Sequence, residues 1–394
     1  MSTADFELPI EFLRSRQNSK WNRYAADVIP AWVAEMDFSV AYPVQRAVER
    51  VVREQEYGYP MRLGGKAETA VMDAFAKRMK AMFGWEVSPD AVQPVADLVQ
   101  GTFATLWAYT DPGEGVLLQV PAYPPFREAI AETGRRLVEH PIRPGTTRFD
   151  LDLPGMARAI DARTRVILLC HPHNPSGRVF DEAELREIGR IAIERDMVIV
   201  SDEIHSDLVF PGRAHIPLAS LSSEIAARTV TITSPTKSFI MPGLRCAVLH
   251  FGSAALRERF HARVPRRMLG QVGITGIDAT VAAWLHSQPW LDRVMAHLQR
   301  ARDHVLGRLQ REVPVIRCIA PEATYMAWLD CTALDLGPSA FVFFHDKARV
   351  AFSPGESFDA GCGQFLRVNF ATSFRILDEI IDRMVAALRS AGRL

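Results

Sequence analysis

Thr229–Val248 is TVTITSPTKSFIMPGLRCAV, a short β-branched alternation that runs into a lysine. Val230 and Ile232 alternate with threonines and predict a strand, which the hydroxyl cluster Ser234-Pro235-Thr236 ends. Lys237 follows at once, and Arg245 stands eight residues on. Open α/β sheets bind ligands beyond the carboxyl ends of their strands. A lysine held there among apolar neighbours loses hydration, which lowers its pKa and frees the amine to form a Schiff base. An exposed lysine after a strand is the plain alternative. The rest of the chain decides between them.

Outward from this stretch, strands and helices alternate. Gly115–Val120, Arg165–Cys170, Met197–Val200 and Leu244–Phe251 are apolar runs of strand length. Asp181–Glu194 is an amphipathic helix opened by Asp181 and Glu184 in a capping-box spacing. Near-continuous Val/Ile/Leu strands between helices predict a large, mostly parallel sheet covered on both faces. Before it come helices predicted from Tyr42-Pro43 to Glu54 and over Gly65–Met82, and a turn running into a helix over Asp97–Tyr109. After it the chain is helix-rich, with a long helix over Trp290–Leu309, and then changes character. Short strands at Tyr325–Leu329 and Phe365–Phe370 with intervening helices predict a smaller α+β C-terminal domain. The expected division is 1–45 as an arm joined to the small domain, 46–285 as the large domain and 286–394 as the small one.

Composition narrows the function. Lys plus Arg and Asp plus Glu number 46 each in 394 residues, so no overall field draws nucleic acid or an anionic membrane. The five cysteines are odd in number, stand far apart and form no CxxC pair. That argues against a disulfide framework or a metal site and for a cytoplasmic setting. The N-terminus carries early acids and no apolar run of signal-peptide type, and no stretch has the length of a membrane span.

Four further places carry polar residues where this sheet would put strand ends. His171-Pro172-His173-Asn174-Pro175-Ser176-Gly177 follows one strand, and its prolines could aim the Asn174 amide at a ligand oxygen or simply build an Asx turn. Ser201-Asp202-Glu203-Ile204-His205 follows another; Asp202 is either a helix cap or a buried carboxylate for a cationic partner such as a pyridinium N–H. The backbone N–H groups of Val99, Gln100 and Gly101 could face a phosphate at a helix start. Tyr123, between Pro121 and Pro124, could stack on a flat ring or pack in the core.

Taken together, these motifs resemble a family. N-P-x-G, then D-E-x-H with its Asp at 202 against Asn at 174, then S-x-T-K with its Lys at 237, resembles the fold-type I pyridoxal-phosphate enzymes of the aminotransferase class I/II superfamily. The resemblance runs from about Trp32 to the C-terminus. It implies that Lys237 binds pyridoxal 5'-phosphate as a Schiff base and moves protons at the substrate Cα and at C4′. It implies that Asp202 pairs with the pyridine nitrogen, that Asn174 bonds O3′, and that Tyr123 stacks on the ring. Ser234, Thr236 and Arg245, with the Val99–Gly101 amides, would cradle the phosphate. Tyr59 would reach the phosphate of a neighbouring subunit, which implies a homodimer with shared sites. Arg367 would bind the substrate α-carboxylate beside Asn174, and its planar fork suits that role better than a lysine would.

Most aminotransferases of the superfamily carry tyrosine where this chain has His205. Asp202-Glu203-Ile204-His205, with Trp32-Val33-Ala34-Glu35-Met36-Asp37-Phe38, is similar to the cystathionine β-lyase (C–S lyase) branch of the PatB/MalY type. Tyr59-Pro60, Pro124-Pro125 and Arg245 depart from that branch. The resemblance therefore implies a C–S β-lyase acting on cystathionine or a related cysteine conjugate. An aminotransferase using the same residues is the alternative, and a regulator that keeps the cofactor as a relic is a third. His173 and His205 are expected nearest the cofactor; the remaining histidines are expected at surface or satisfied core positions. Substrate side-chain choice is expected from Ala31–Phe38, the Tyr325 region and the neighbouring subunit.

Overall fold

The computed structural model describes residues 6–394; the first five residues of the expected arm lie outside the described residues. An eight-stranded sheet forms the centre. In chain order its strands are β1 (Val92–Val95), β2 (Gly115–Val120), β3 (Arg136–Pro144), β4 (Phe149–Leu151), β5 (Thr164–Cys170), β6 (Val198–Asp202), β7 (Thr229–Thr233) and β8 (Ala247–Phe251). Their spatial order is β1-β8-β7-β6-β5-β2-β3-β4. Adjacent strands from β7 through β6, β5 and β2 to β3 run parallel, whereas β8 is antiparallel to β7 and β1, and β4 to β3.

The sheet is apolar on both faces because its strands alternate between two cores. Val166, Leu168, Val200, Val230 and Ile232 face one cluster. Leu117, Ile167, Leu169 and Ile199 face another. Every residue of β2, β6 and β7 is buried. The predicted capping box is present, with Asp181 accepting from the Glu184 N–H and Glu184 accepting from the Asp181 N–H.

The smaller C-terminal sheet holds β9 (Arg317–Cys318), β10 (Met326–Asp330), β11 (Ser353–Pro354) and β12 (Phe365–Asn369) in the order β9-β10-β12-β11. The N-terminal arm packs with it. Ile29–Pro30 pairs with Val350–Ala351, and the Asn369 N–H donates to the Ala31 carbonyl at 2.9 Å.

Several boundaries differ from expectation. Strand β8, expected from Leu244, begins at Ala247, because Pro242–Leu244 forms a 3-10 turn and Arg245 takes a left-handed φ of 47°. The helix expected from Gly65 begins at Thr69, and Gly65–Lys66 instead pairs with Met61–Arg62. The long helix covers Gln288–Glu312 with its proline in the first turn. Strands β1, β3 and β4 were not expected at all. Among the described residues, no helix is long and apolar enough to cross a membrane.

Candidate active site

Four neighbouring parallel strands, β7, β6, β5 and β2, deliver Lys237, Asp202, Asn174 and Tyr123 from their carboxyl ends to one cavity of about 250 Å³. His205, Ser234, Thr236, Arg245, Val99 and Arg367 also line it. Tyr59 does not; it is 94% exposed on the outer surface, near exposed Tyr57, Met61 and Leu63.

Lys237 sits one short turn beyond β7, half-buried, and its Nζ donates to the Ala34 carbonyl at 3.0 Å. Burial, then the nearby Arg367 charge, pull its pKa from 10.5 to about 8. Asp202 is the last residue of β6 and is buried; its Oδ1 accepts the Ile204 N–H at 3.0 Å. It caps no helix. Burial pushes its carboxyl up to about 7, against the opposing effect of the Ile204 bond.

Asn174 does not close an Asx turn on itself: its Oδ1 accepts from Arg367 Nη1 at 3.1 Å. Arg367, buried on β12, also donates through Nη2 to the Trp32 carbonyl and to Ser353 Oγ, each at 3.0 Å. Desolvation lowers even this guanidinium, to about 10.

His205 is buried with Nδ1 unpartnered, and desolvation with the Lys237 and Arg367 charges pushes it down to about 3, so the ring is neutral near pH 7. His173 is also held neutral, its Nδ1 2.8 Å from Ser176 Oγ. Tyr123 stands edge-on to Phe126, with centroids 5.6 Å apart, and burial raises its hydroxyl pKa.

The helix start expected to face a phosphate differs in detail from expectation. Asp97 caps the helix Leu98–Tyr109, and its Oδ1 accepts the Gln100 N–H at 2.8 Å. The Gly101 N–H is bonded to the Asp97 carbonyl at 3.1 Å. By helix geometry the open amides are those of Leu98 and Val99. Gly101 serves packing instead. A Cβ there would meet Leu249 Cδ2 at 3.0 Å, so glycine lets this helix lie close on β7 and β8. Ser234 Oγ donates to the Cys246 carbonyl at 2.6 Å and lies 2.9 Å from Thr236 Oγ1. Arg245 is exposed at the mouth and ion-paired with Asp97.

The arrangement fits a flat, anionic, ring-nitrogen ligand. A buried carboxylate suits a cation, two open amides suit an anion, and a lysine of lowered pKa lines the same cavity. The Ala34 carbonyl and the buried Tyr325, whose hydroxyl also donates to it at 3.0 Å, were not foreseen as partners of Lys237.

Residues 42–384 match the family model described as aminotransferase class I and II. The chain belongs to this family. It is 29% identical over 379 residues to the cystathionine β-lyase PatB of Bacillus subtilis, covering 94% of this chain and 97% of that protein. To the cystathionine β-lyase of Corynebacterium glutamicum it is 30% identical, covering 96% and 99%. The solved structure of cystalysin from Treponema denticola, which contains pyridoxal 5'-phosphate, superposes with a TM-score of 0.90 at 27% identity, covering 96% of this chain and 97% of that one.

Proposed function

We propose that this family member is a pyridoxal 5'-phosphate-dependent C–S β-lyase that cleaves cystathionine or a related cysteine S-conjugate to pyruvate, ammonia and a thiol. The observation that carries the proposal is the convergence of Lys237, Asp202, Asn174 and Arg367 on one cavity. Near-full-length similarity to proteins named cystathionine β-lyase supports the lyase outcome.

When bound, the cofactor supplies a ring that withdraws electrons from the substrate Cα. The chain's residues supply the rest. Asp202 would hold the proton on the ring nitrogen, and that cation would offset the cost of burying its carboxylate. Arg367 occupies Asn174 Oδ1, which leaves Nδ2 to donate to the ring's O3′. Tyr123 would pack on the ring face. The Leu98 and Val99 amides, Ser234, Thr236 and Arg245 would hold the phosphate. Lys237 would bind the cofactor and, once displaced, take the proton from Cα, after which the thiolate leaves Cβ. Arg367 would hold the α-carboxylate and so fix which Cα bond faces Lys237. Neutral His205 would contact the cofactor from the Asp202 side.

The exposed Tyr57, Tyr59, Met61 and Leu63 support a homodimer in which Tyr59 reaches the partner's phosphate. The proposed units are 46–285 for the cofactor and 286–394 with the arm 1–45, supported by the arm's pairing with Val350–Ala351. The free cysteines support a cytoplasmic setting.

The test is direct. The purified protein should show a visible absorption band that Lys237→Ala abolishes, and should yield equal amounts of pyruvate and thiol from L-cystathionine. The name of its own family favours one other reading, an aminotransferase. Amino transfer to a keto acid without pyruvate would establish that reading instead.

A further inference from the structure

Tyr325 is fully buried at the junction of the N-terminal segment and the small sheet, one residue before β10. A phenylalanine would fill the same space without a polar group to satisfy. Its hydroxyl donates to the Ala34 carbonyl at 3.0 Å, and the Lys237 ammonium donates to the same oxygen at 3.0 Å. That carbonyl is held from both sides, because Asn369 Nδ2 donates to the carbonyls of Val33 and Glu35 at 2.7 Å each. Lys20 Nζ adds a further bond to the Glu35 carbonyl at 2.9 Å. The oxygen therefore cannot swing away from either donor.

The two donors use both lone pairs of one carbonyl oxygen and draw on the same electron density, so each bond is weaker than it would be alone. We propose that Tyr325 is a positioning residue: by sharing the Ala34 carbonyl with Lys237, it loosens that carbonyl's hold on the ammonium and releases the amine to the cofactor. It also keeps the carbonyl bonded while the lysine is away, so the amine returns to a fixed resting place. The step served is amine capture. The ammonium gives one proton to solvent, the neutral nitrogen bonds the cofactor's aldehyde carbon, and the aldehyde oxygen leaves as one water.

The charged and titratable groups facing Lys237 are Arg367, Glu35, Asp202 and His205, from the small sheet, the N-terminal segment and the end of β6. None of these changes in Tyr325→Phe. A shift in the lysine's ionisation in that variant therefore reports on the shared carbonyl.

The inference rests on the reading of Lys237 as the cofactor-binding residue. Its test is the rate at which cofactor-free protein acquires its visible band on adding pyridoxal 5'-phosphate, followed from pH 6 to 9.5. In wild type the rate should rise with pH about a midpoint near 8. In Tyr325→Phe the midpoint should move up by about half a unit, making capture about threefold slower at pH 7. At pH 9.5 the two rates should converge. An unchanged midpoint would overturn the proposal, and so would a variant equally slow at every pH, which marks a packing defect. A wild type that acquires no band, or a Lys237→Ala variant that still does, would instead strike the underlying assignment of Lys237.

Discussion

Arg367, on a strand of the small sheet, donates from Nη1 to Oδ1 of Asn174, in the loop beyond β5 of the large sheet, at 3.1 Å. Its other terminal nitrogen is anchored by the Trp32 carbonyl and Ser353 Oγ. One buried guanidinium thus joins the N-terminal segment, the small sheet and the large sheet at the cavity. Its fork is set before any substrate arrives, so little side-chain freedom remains to be lost on binding a carboxylate.

Replacing Arg367 by lysine tests that pre-organisation. A lysine keeps the charge but cannot serve Asn174, Trp32 and Ser353 at once. Arg367→Lys should lower kcat/KM for the amino-acid substrate by about 10²- to 10³-fold, roughly 3–4 kcal/mol, with most of the loss in KM. The visible cofactor band should persist. Steady-state kinetics decide it: a variant with wild-type KM would remove Arg367 from carboxylate binding.

Asp202 makes a prediction about stability. Its carboxyl is pushed from 3.8 up to about 7 in the folded, cofactor-free protein. A raised pKa means that the folded state holds a proton the unfolded chain releases, so stability falls as pH rises from about 4 through 7. Above pH 7 the full cost of the buried charge is present. Asp202→Asn, close in shape and uncharged, should therefore stabilise the cofactor-free protein at pH 8 by about 2–4 kcal/mol, and by little near pH 4. The same variant should bind the cofactor more weakly and lose most activity. Melting curves at the two pH values check the sign, and equal stability at pH 8 would contradict the buried, unpaired carboxylate.

The parts of this fold legible in the sequence are those in which burial acts on both faces. Strand β5 holds the continuous apolar run Val166–Cys170 because both its faces are covered, and β7 sets Val230 and Ile232 between β-branched threonines; both patterns stand out in any window. Strand β3 buries alternate positions, but Glu139, His140, Pro141, Arg143 and Pro144 leave only Val138 and Ile142 to mark them, so its sequence resembles a loop. Strand β1 is four residues with a proline among them. That Lys237, Asp202 and Asn174 meet in one cavity was legible, because residues at or just past the carboxyl ends of neighbouring parallel strands face the same end of the sheet. The Ala34 carbonyl was not, since a backbone acceptor leaves no residue signature, and Tyr325 was expected only near the substrate side chain, not bonded to the oxygen that holds Lys237. At the helix start expected to face a phosphate, the Gln100 N–H is taken by the Asp97 side chain and the Gly101 N–H by the Asp97 carbonyl, because the helix begins earlier than the glycine suggested.

Glu203, next to Asp202, is a buried carboxylate that the proposed chemistry does not use. It accepts from Ser201 Oγ at 2.8 Å, His215 Nε2 at 2.9 Å and the Leu218 N–H at 3.1 Å. Its own N–H donates to the Ile232 carbonyl at 2.8 Å, and its carbonyl accepts from Thr233 Oγ1 at 3.1 Å. The residue thus binds the strand of Asp202 to the strand of Lys237. Glu203→Ala would leave three buried donors unsatisfied and should cost about 3–5 kcal/mol. Glu203→Gln, which still accepts through one oxygen, should cost clearly less. Urea unfolding of both variants checks the order, and a wild-type midpoint for Glu203→Ala would show the network to be dispensable.

Gly177 closes the loop that carries Asn174, and two separate effects forbid a side chain there. Its φ is +69°, where an L side chain adds strain of about 1 kcal/mol. A Cβ would also stand 2.4 Å from Pro321 Cβ and 3.0 Å from the Ala323 carbonyl oxygen, and neither is the far end of a flexible chain. The Gly177 carbonyl accepts the N–H groups of Glu322 and Ala323, both at 2.9 Å, so the loop cannot back away without breaking them. Gly212 separates the two effects, since its φ is +93° with nothing within 4 Å of a built Cβ. Gly212→Ala should therefore cost only the strain, about 1 kcal/mol, while Gly177→Ala should cost about 3 kcal/mol or more. Only Gly177→Ala should also weaken cofactor binding, because the displaced loop carries Asn174 with it. Equal losses in the two variants, by thermal unfolding and by cofactor titration, would mean that the Pro321 contact yields and that Asn174 is not held from this side.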